Sequence, residues 1–154
     1  MRKFQPYLLL VCLTLLAGVG LSEDATAELS DDKPFAEQHV ILQVSDADPA
    51  KYTAALDISN NLIKHYKGPE YIDLEVIAFG AGVHMLTVDD DVNAQRISSL
   101  MANGVKFFIC MNTLDSIQRK TGTRPKMLKG VVGVQTGVAF MLEEIQAGYT
   151  HIHP

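Results

Sequence analysis

With 154 residues, 47% of them hydrophobic and 20% charged, the chain can bury one substantial core and is too short for two ordinary domains. That composition is globular and excludes general disorder. A net charge of −5 without a basic stripe leaves no electrostatic footprint for nucleic acid, so that partner class is set aside.

Arg2 and Lys3 precede an apolar run from Tyr7 to Leu21, and Ala25-Thr26-Ala27 follows it. The succession of charged, apolar and small-x-small segments predicts a secretory signal peptide over residues 1–27, cleaved after Ala27. The expected destination is export, to the periplasm. The run is shorter than the roughly 20 residues of a spanning helix, so no membrane span is expected after processing. An uncleaved N-terminal anchor is the competing reading. Cys12 lies beside Val11 within the run, which continues past it, and this argues against a lipid-modified cysteine. Processing removes two basic residues (Arg2, Lys3) and two acidic ones (Glu23, Asp24), so the charge stays at −5. It would leave Cys110 as the single cysteine, with no internal disulfide in an oxidising compartment.

Residues 28–37 are polar, acidic and interrupted by Pro34, and read as a flexible lead-in to a domain over residues 38–154. His39 to Ser45 forms a first strand, whose continuous apolar centre predicts burial on both faces. Asp46-Ala47-Asp48-Pro49 is a turn and cap. Tyr52, Ala55, Leu56, Leu62, Ile63 and Tyr66 then mark one helix face, stopped by Gly68-Pro69. Leu74 to Phe79 is the second strand, and Gly80-Ala81-Gly82-Val83-His84 the turn after it. Asp89-Asp90-Asp91 caps a helix carrying Val92, Ile97, Leu100 and Met101, and Asn103-Gly104 ends it.

Val105 to Cys110 is the third strand, ending on the thiol. Asn112 or Thr113 caps the next helix, expected from Thr113 to about Lys120, and Thr121 to Pro125 is a loop. Gly130 to Val134 is the fourth strand. Thr136-Gly137 opens a helix with Val138, Met141, Leu142 and Ile145 on one side, and Gly148 closes it. The tail from Tyr149 to Pro154 can add an edge strand. Four alternations with short connections predict an α/β domain with a parallel sheet and helices on both faces.

Among candidate sites, Gly80-x-Gly82 follows a strand, but the third glycine of a dinucleotide-binding turn is replaced by Met85 and no P-loop lysine is present. The sequence thus calls for no cofactor. The three aspartates lack calcium-loop spacing and are explained by capping and the helix dipole. His151-x-His153 on a strand would place both imidazoles on one face. Two ligands are too few for structural zinc, so no metal is expected. Without a Gly-x-Ser-x-Gly elbow or a paired-carboxylate signature, hydrolase chemistry has nothing to rest on. Cys110 carries the remaining chemistry. It lies at the carboxyl end of a strand, where ligand crevices form, and beside a helix N-terminus, which favours thiolate. The opposed reading is a small buried hydrophobe.

Leu74-Glu75-Val76-Ile77-Ala78-Phe79-Gly80-x-Gly82-Val83 and Gly104-Val105-Lys106-Phe107-x-x-Cys110-x-Asn112-Thr113 together resemble the DsrE/DsrF family. So does the ending, from Gly137-Val138-Ala139 through Ile145-Gln146-x-Gly148-Tyr149 to Ile152-x-Pro154. The resemblance spans about residues 38–154. It implies a three-layer α/β/α fold with a parallel sheet of about five strands, assembled as a homo-oligomer, a trimer or hexamer. In the family's sulfur-relay members a cysteine accepts sulfane sulfur as a persulfide and hands it to a partner. Cys110 is the position here that can correspond to it, with a donor or acceptor protein or a small thiol as partner. Gly80, Gly82, His84, Asn112, Thr113, Gln135 and Thr136 are the expected pocket residues. The export signal departs from those cytoplasmic relay proteins. A non-enzymatic small-ligand or assembly module with a structural cysteine is the alternative.

Overall fold

The structure, a computed structural model, describes residues 33–88 and 91–154. The expected signal peptide and the Asp89-Asp90 pair lie outside the described residues. Five parallel strands form one sheet in the order β4-β3-β2-β1-β5. They are β1 (Gln38–Val44), β2 (Ile72–Ala78), β3 (Lys106–Cys110), β4 (Val132–Val134) and β5 (Thr150–Ile152). The helices are α1 (Pro49–His65), α2 (Asp91–Ala102), α3 (Met111–Thr121) and α4 (Gly137–Gln146), with a 3-10 helix at Gly80–Leu86 where the sequence suggested a plain turn.

The handedness of parallel crossovers explains the layers. Three successive steps from β1 to β4 run in one direction along the sheet, so right-handed connections place α1, α2 and α3 on one face. The step from β4 to β5 passes back over the whole sheet and puts α4 on the opposite face. Packing agrees: Tyr52, Ala55 and Leu56 of α1, Ile97 and Leu100 of α2 and Leu114 of α3 share one core with Val40, Leu42, Leu74, Val76, Phe107 and Ile109. Met141 joins the other core with Ile41, Ile77 and Tyr149. The protein is a three-layer α/β/α domain.

Local chemistry fixes the first crossover. Asp48 caps α1 by accepting from the Ala50 amide at 2.9 Å, and Pro49 supplies a preset first-turn φ. Tyr52, Ala55, Leu56 and Ser59 repeat at helical spacing and are buried. Lys33 to Glu37, expected as flexible, are tied to the sheet's amino end. The Lys33 ammonium donates to the Ile72 carbonyl at 2.9 Å, and the Glu37 amide to the Tyr71 carbonyl at 2.8 Å. At the other end, Gly82 packs so tightly that an added Cβ would overlap the backbone of Val44 and Ser45.

Candidate functional site: a thiol between two helix N-termini

The sheet order creates a crevice beside Cys110. The helix after β3 goes to one face and the helix after β4 to the other, so the chain parts at the carboxyl ends of these adjacent strands. Such a switch point is where open α/β sheets bind ligands. It also brings two helix N-termini together, each with first-turn amides that lack an intrahelical partner.

β3 passes into α3 without a loop, and here the sequence expectation is corrected. The helix begins at Met111, and Cys110 itself takes the cap position, with φ −72° and ψ 113° and no side-chain cap. Asn112 and Thr113 therefore sit inside the first turn, where their side chains serve the site. The Thr113 hydroxyl oxygen accepts from the Gly80 amide at 3.2 Å, and its hydrogen is directed to Cys110. Asn112 braces the opposing loop. Its carboxamide donates to the Thr136 hydroxyl at 2.9 Å and accepts from Gln135 Nε2 at 2.6 Å, while its amide donates to the Gln135 carbonyl at 3.1 Å.

That brace holds α4 against the thiol. A Cβ on Gly137 would lie 3.1 Å from Cys110 Cβ and 3.2 Å from Phe79 Cβ, so only glycine lets the helix end approach this far. Burial is the largest single influence on the thiol and raises its pKa. The Thr113 hydroxyl and the amides of Gly137, Thr113 and Asn112 together outweigh it and hold the thiol below its ordinary value. The Asn112 amide also donates to the Gln135 carbonyl. When protonated, the sulfur donates weakly to the Gln135 carbonyl at 3.8 Å. Cys110 is 6% exposed.

Gly80, His84, Asn112 and Thr113 line one open cleft of about 470 Å³ together with Ala81, Ser116, Ile117 and Lys120. Gln135 and Thr136 line a separate depression with Val134, Ala139, Phe140 and Glu143. Gly82 lines neither; it is a buried contact with β1. Gly137 was not anticipated as a site residue, although Thr136-Gly137 at a helix start was a legible sign of close approach. Asp115 of α3 is ion-paired with Arg124. Lys106 lies far from the sulfur and pairs with Asp73 at 3.3 Å.

Lys106 belongs to a second polar cluster, on the α4 face toward the sheet's amino end. Asp73 and Glu75 are 1% and 4% exposed. The Tyr149 hydroxyl donates to Asp73 at 2.5 Å and lies 3.4 Å from Glu75, and Lys106 stands 3.7 Å from Glu75. Burial, followed by the Glu144 carboxylate, pushes Glu75 up to about 7. Burial and the hydrogen bond to Asp73 likewise push the Tyr149 phenol up. One oxygen each of Asp73 and Glu75, and Nδ1 of His39, has no hydrogen-bond partner among the described residues.

His151 and His153 are engaged along the β1 edge: His151 Nε2 lies 2.9 Å from Gln43 Oε1, and His153 Nε2 lies 3.6 Å from Asp46. Among the described residues, no group of three or more His, Cys, Asp or Glu is arranged to hold a metal, and no helix is long and apolar enough to cross a membrane.

Fold and site together define an α/β/α domain with the thiol of Cys110, the one cysteine among the described residues, at the sheet's switch point. No protein-family model matches the chain, and neither does any curated protein. Among solved structures it is similar to MTH1491 from Methanobacterium thermoautotrophicum, a protein of unknown function. That likeness has 26% identity and a TM-score of 0.67 over 77% of this chain and 100% of that one. BT1422 from Bacteroides thetaiotaomicron, a conserved protein of unknown function, matches at 14% identity and a TM-score of 0.49, over 76% of this chain and 95% of that one.

Proposed function

We propose that the protein is an exported DsrE-like sulfur handler in which the Cys110 thiolate accepts sulfane sulfur and passes it on. The observation that supports this reading is the donor set at the sulfur: one hydroxyl and amides from two helix N-termini. A thiol that only fills space draws nothing from such donors, whereas each of them favours the anionic sulfur. Attack by the thiolate on the outer sulfur of a persulfide breaks the donor's S–S bond, forms Cys110–S–S⁻ and releases the donor thiolate. Attack by an acceptor thiolate on that outer sulfur then regenerates Cys110. Charge and oxidation level balance in each half. The homo-oligomer and the cleaved signal belong to the same proposal and rest on the sequence resemblance and the N-terminal pattern.

The burial of Cys110 favours a second reading, a ligand-binding module in which the thiol packs the crevice floor. Intact mass after exposure to polysulfide, with and without reductant, separates the two. The sulfur reading expects a reversible gain of sulfur atoms on the folded protein, absent in Cys110→Ser. No gain on the folded protein leaves the packing role.

A further inference from the structure

A two-residue connection roofs the Cys110 sulfur. Gln135 and Thr136 join β4 to α4, and both are exposed. Val134, paired in the sheet opposite Cys110, holds one end of the connection, and the buried Gly137 holds the other. Between them the Gln135 carbonyl lies 3.8 Å from the sulfur and accepts its hydrogen. Other sides of the sulfur meet the Thr113 hydroxyl and the amides of Gly137, Thr113 and Asn112. With Cys110 only 6% exposed, an incoming molecule reaches the sulfur when this roof lifts.

Three hydrogen bonds with Asn112 hold the roof down. The Asn112 amide donates to the Gln135 carbonyl at 3.1 Å, its carboxamide donates to the Thr136 hydroxyl at 2.9 Å, and it accepts from Gln135 Nε2 at 2.6 Å. Thr136 occupies the cap position of α4 yet makes no side-chain cap bond, so its hydroxyl serves Asn112 and not the helix. Asn112, Gln135 and Thr136 are all exposed, and hydrogen bonds made in competition with water each add little to stability. The roof is shut at rest and needs little energy to lift.

Closure also depends on what the sulfur carries. A second sulfur takes the place of the thiol hydrogen, which is directed at the Gln135 carbonyl. An S–S bond of about 2.05 Å, taken from the 3.8 Å between sulfur and oxygen, leaves roughly 1.8 Å for the outer sulfur along that line. No sulfur fits so close to an oxygen. We propose that Gln135-Thr136, latched by Asn112, is a load-sensitive gate, shut over the free thiol and open once Cys110 carries a second sulfur. The natural load rests on the sulfur-handling reading above; the motion does not. Loading releases the latch and turns the outer sulfur toward solvent, where an acceptor thiolate can reach it. Transfer restores the thiol, and the gate closes over it again.

Methyl methanethiosulfonate tests the gate without sulfane sulfur. The Cys110 thiolate attacks the methylthio sulfur, the S–S bond of the reagent breaks, and methanesulfinate leaves Cys110 as a methyl disulfide. On the folded protein at matched thiolate fraction, Thr136→Val and Asn112→Ala should react on the order of threefold to tenfold faster than wild type, Asn112→Ala the more so because it loses two latch bonds. Thr136→Ser keeps the acceptor and should match wild type. Equal rates in all of these proteins, or no reaction without denaturant in any, would overturn the gate. Amide hydrogen exchange then reads the loaded state. The Asn112 amide lies in the first turn of α3, where no intrahelical acceptor exists, so the Gln135 carbonyl protects it. Its exchange should quicken by about tenfold or more in the methyl disulfide form, with α1 unchanged. Unchanged exchange at Asn112 would overturn the load sensitivity. An adduct that frees Asn112, with no sulfur gained from polysulfide, keeps the gate and removes the sulfur-handling premise.

Discussion

Replacing Glu75 by Gln should flatten the dependence of stability on pH. Glu75 is 4% exposed on β2, and its carboxyl is raised from 4.5 to about 7 by burial and then by Glu144. A group whose folded pKa exceeds its unfolded one gives stability that is complete below the unfolded value and lost as pH rises through the folded one. The window here runs from about 4.5 to about 7. Two and a half units at 1.36 kcal/mol each give a loss of about 3 kcal/mol between pH 4.5 and pH 8. Glutamine keeps an acceptor for Tyr149 and cannot ionise, so the variant escapes this loss. Glu144, whose carboxyl is also pushed up by burial, leaves a smaller slope of the same sign. The chain has no tryptophan, so urea unfolding at pH 5, 6, 7 and 8 is followed by far-ultraviolet circular dichroism. Wild type should lose about 2–3 kcal/mol more than Glu75→Gln across this series. Parallel curves would refute the argument.

Three further substitutions probe the two clusters. Thr113→Val removes the hydroxyl that helps hold the Cys110 thiol below its ordinary pKa and should raise that pKa, read from thiolate absorbance against pH. Gly137→Ala puts a methyl group against Cys110 and Phe79, and should cost about 1–3 kcal/mol in urea unfolding while raising the thiol pKa as the α4 amide withdraws. Tyr149→Phe strips Asp73 of its short hydrogen bond and should destabilise by about 1–3 kcal/mol, with little effect on the thiol at the far end of the sheet.

The strand and helix order was legible because each segment carries its period and its punctuation. Tyr52, Ala55 and Leu56 repeat at helical spacing and are buried, and Gly148 at φ 107° closes α4 where the sequence places a stop. Even the tail strand paired as an edge, beside β1. Asn112-Thr113 has the composition of a cap, but both side chains are engaged across the crevice with Thr136, Gln135 and the Gly80 amide, and the helix starts at Met111. The position of Gly82 after a strand suggests a pocket residue; its constraint in the structure, the Val44 backbone, lies 38 residues away along the chain and leaves no local mark. The carboxylates of β2 could have been found. In Ile72-Asp73-Leu74-Glu75-Val76 the acids alternate with apolar residues and so share one face. What alternation cannot reveal is that α4 and Tyr149 bury that face, because this depends on β5 adding beyond β1.

On the proposed reading, the two helix ends that meet at Cys110 keep it ionisable and reactive. The rate of its reaction with iodoacetamide on the folded protein, measured against pH, tests this most directly. Alkylation without denaturant is expected, with a midpoint below that of a free thiol at about 8.5. Modification only after unfolding, or a midpoint above that value, would contradict it and leave Cys110 as a packed core residue.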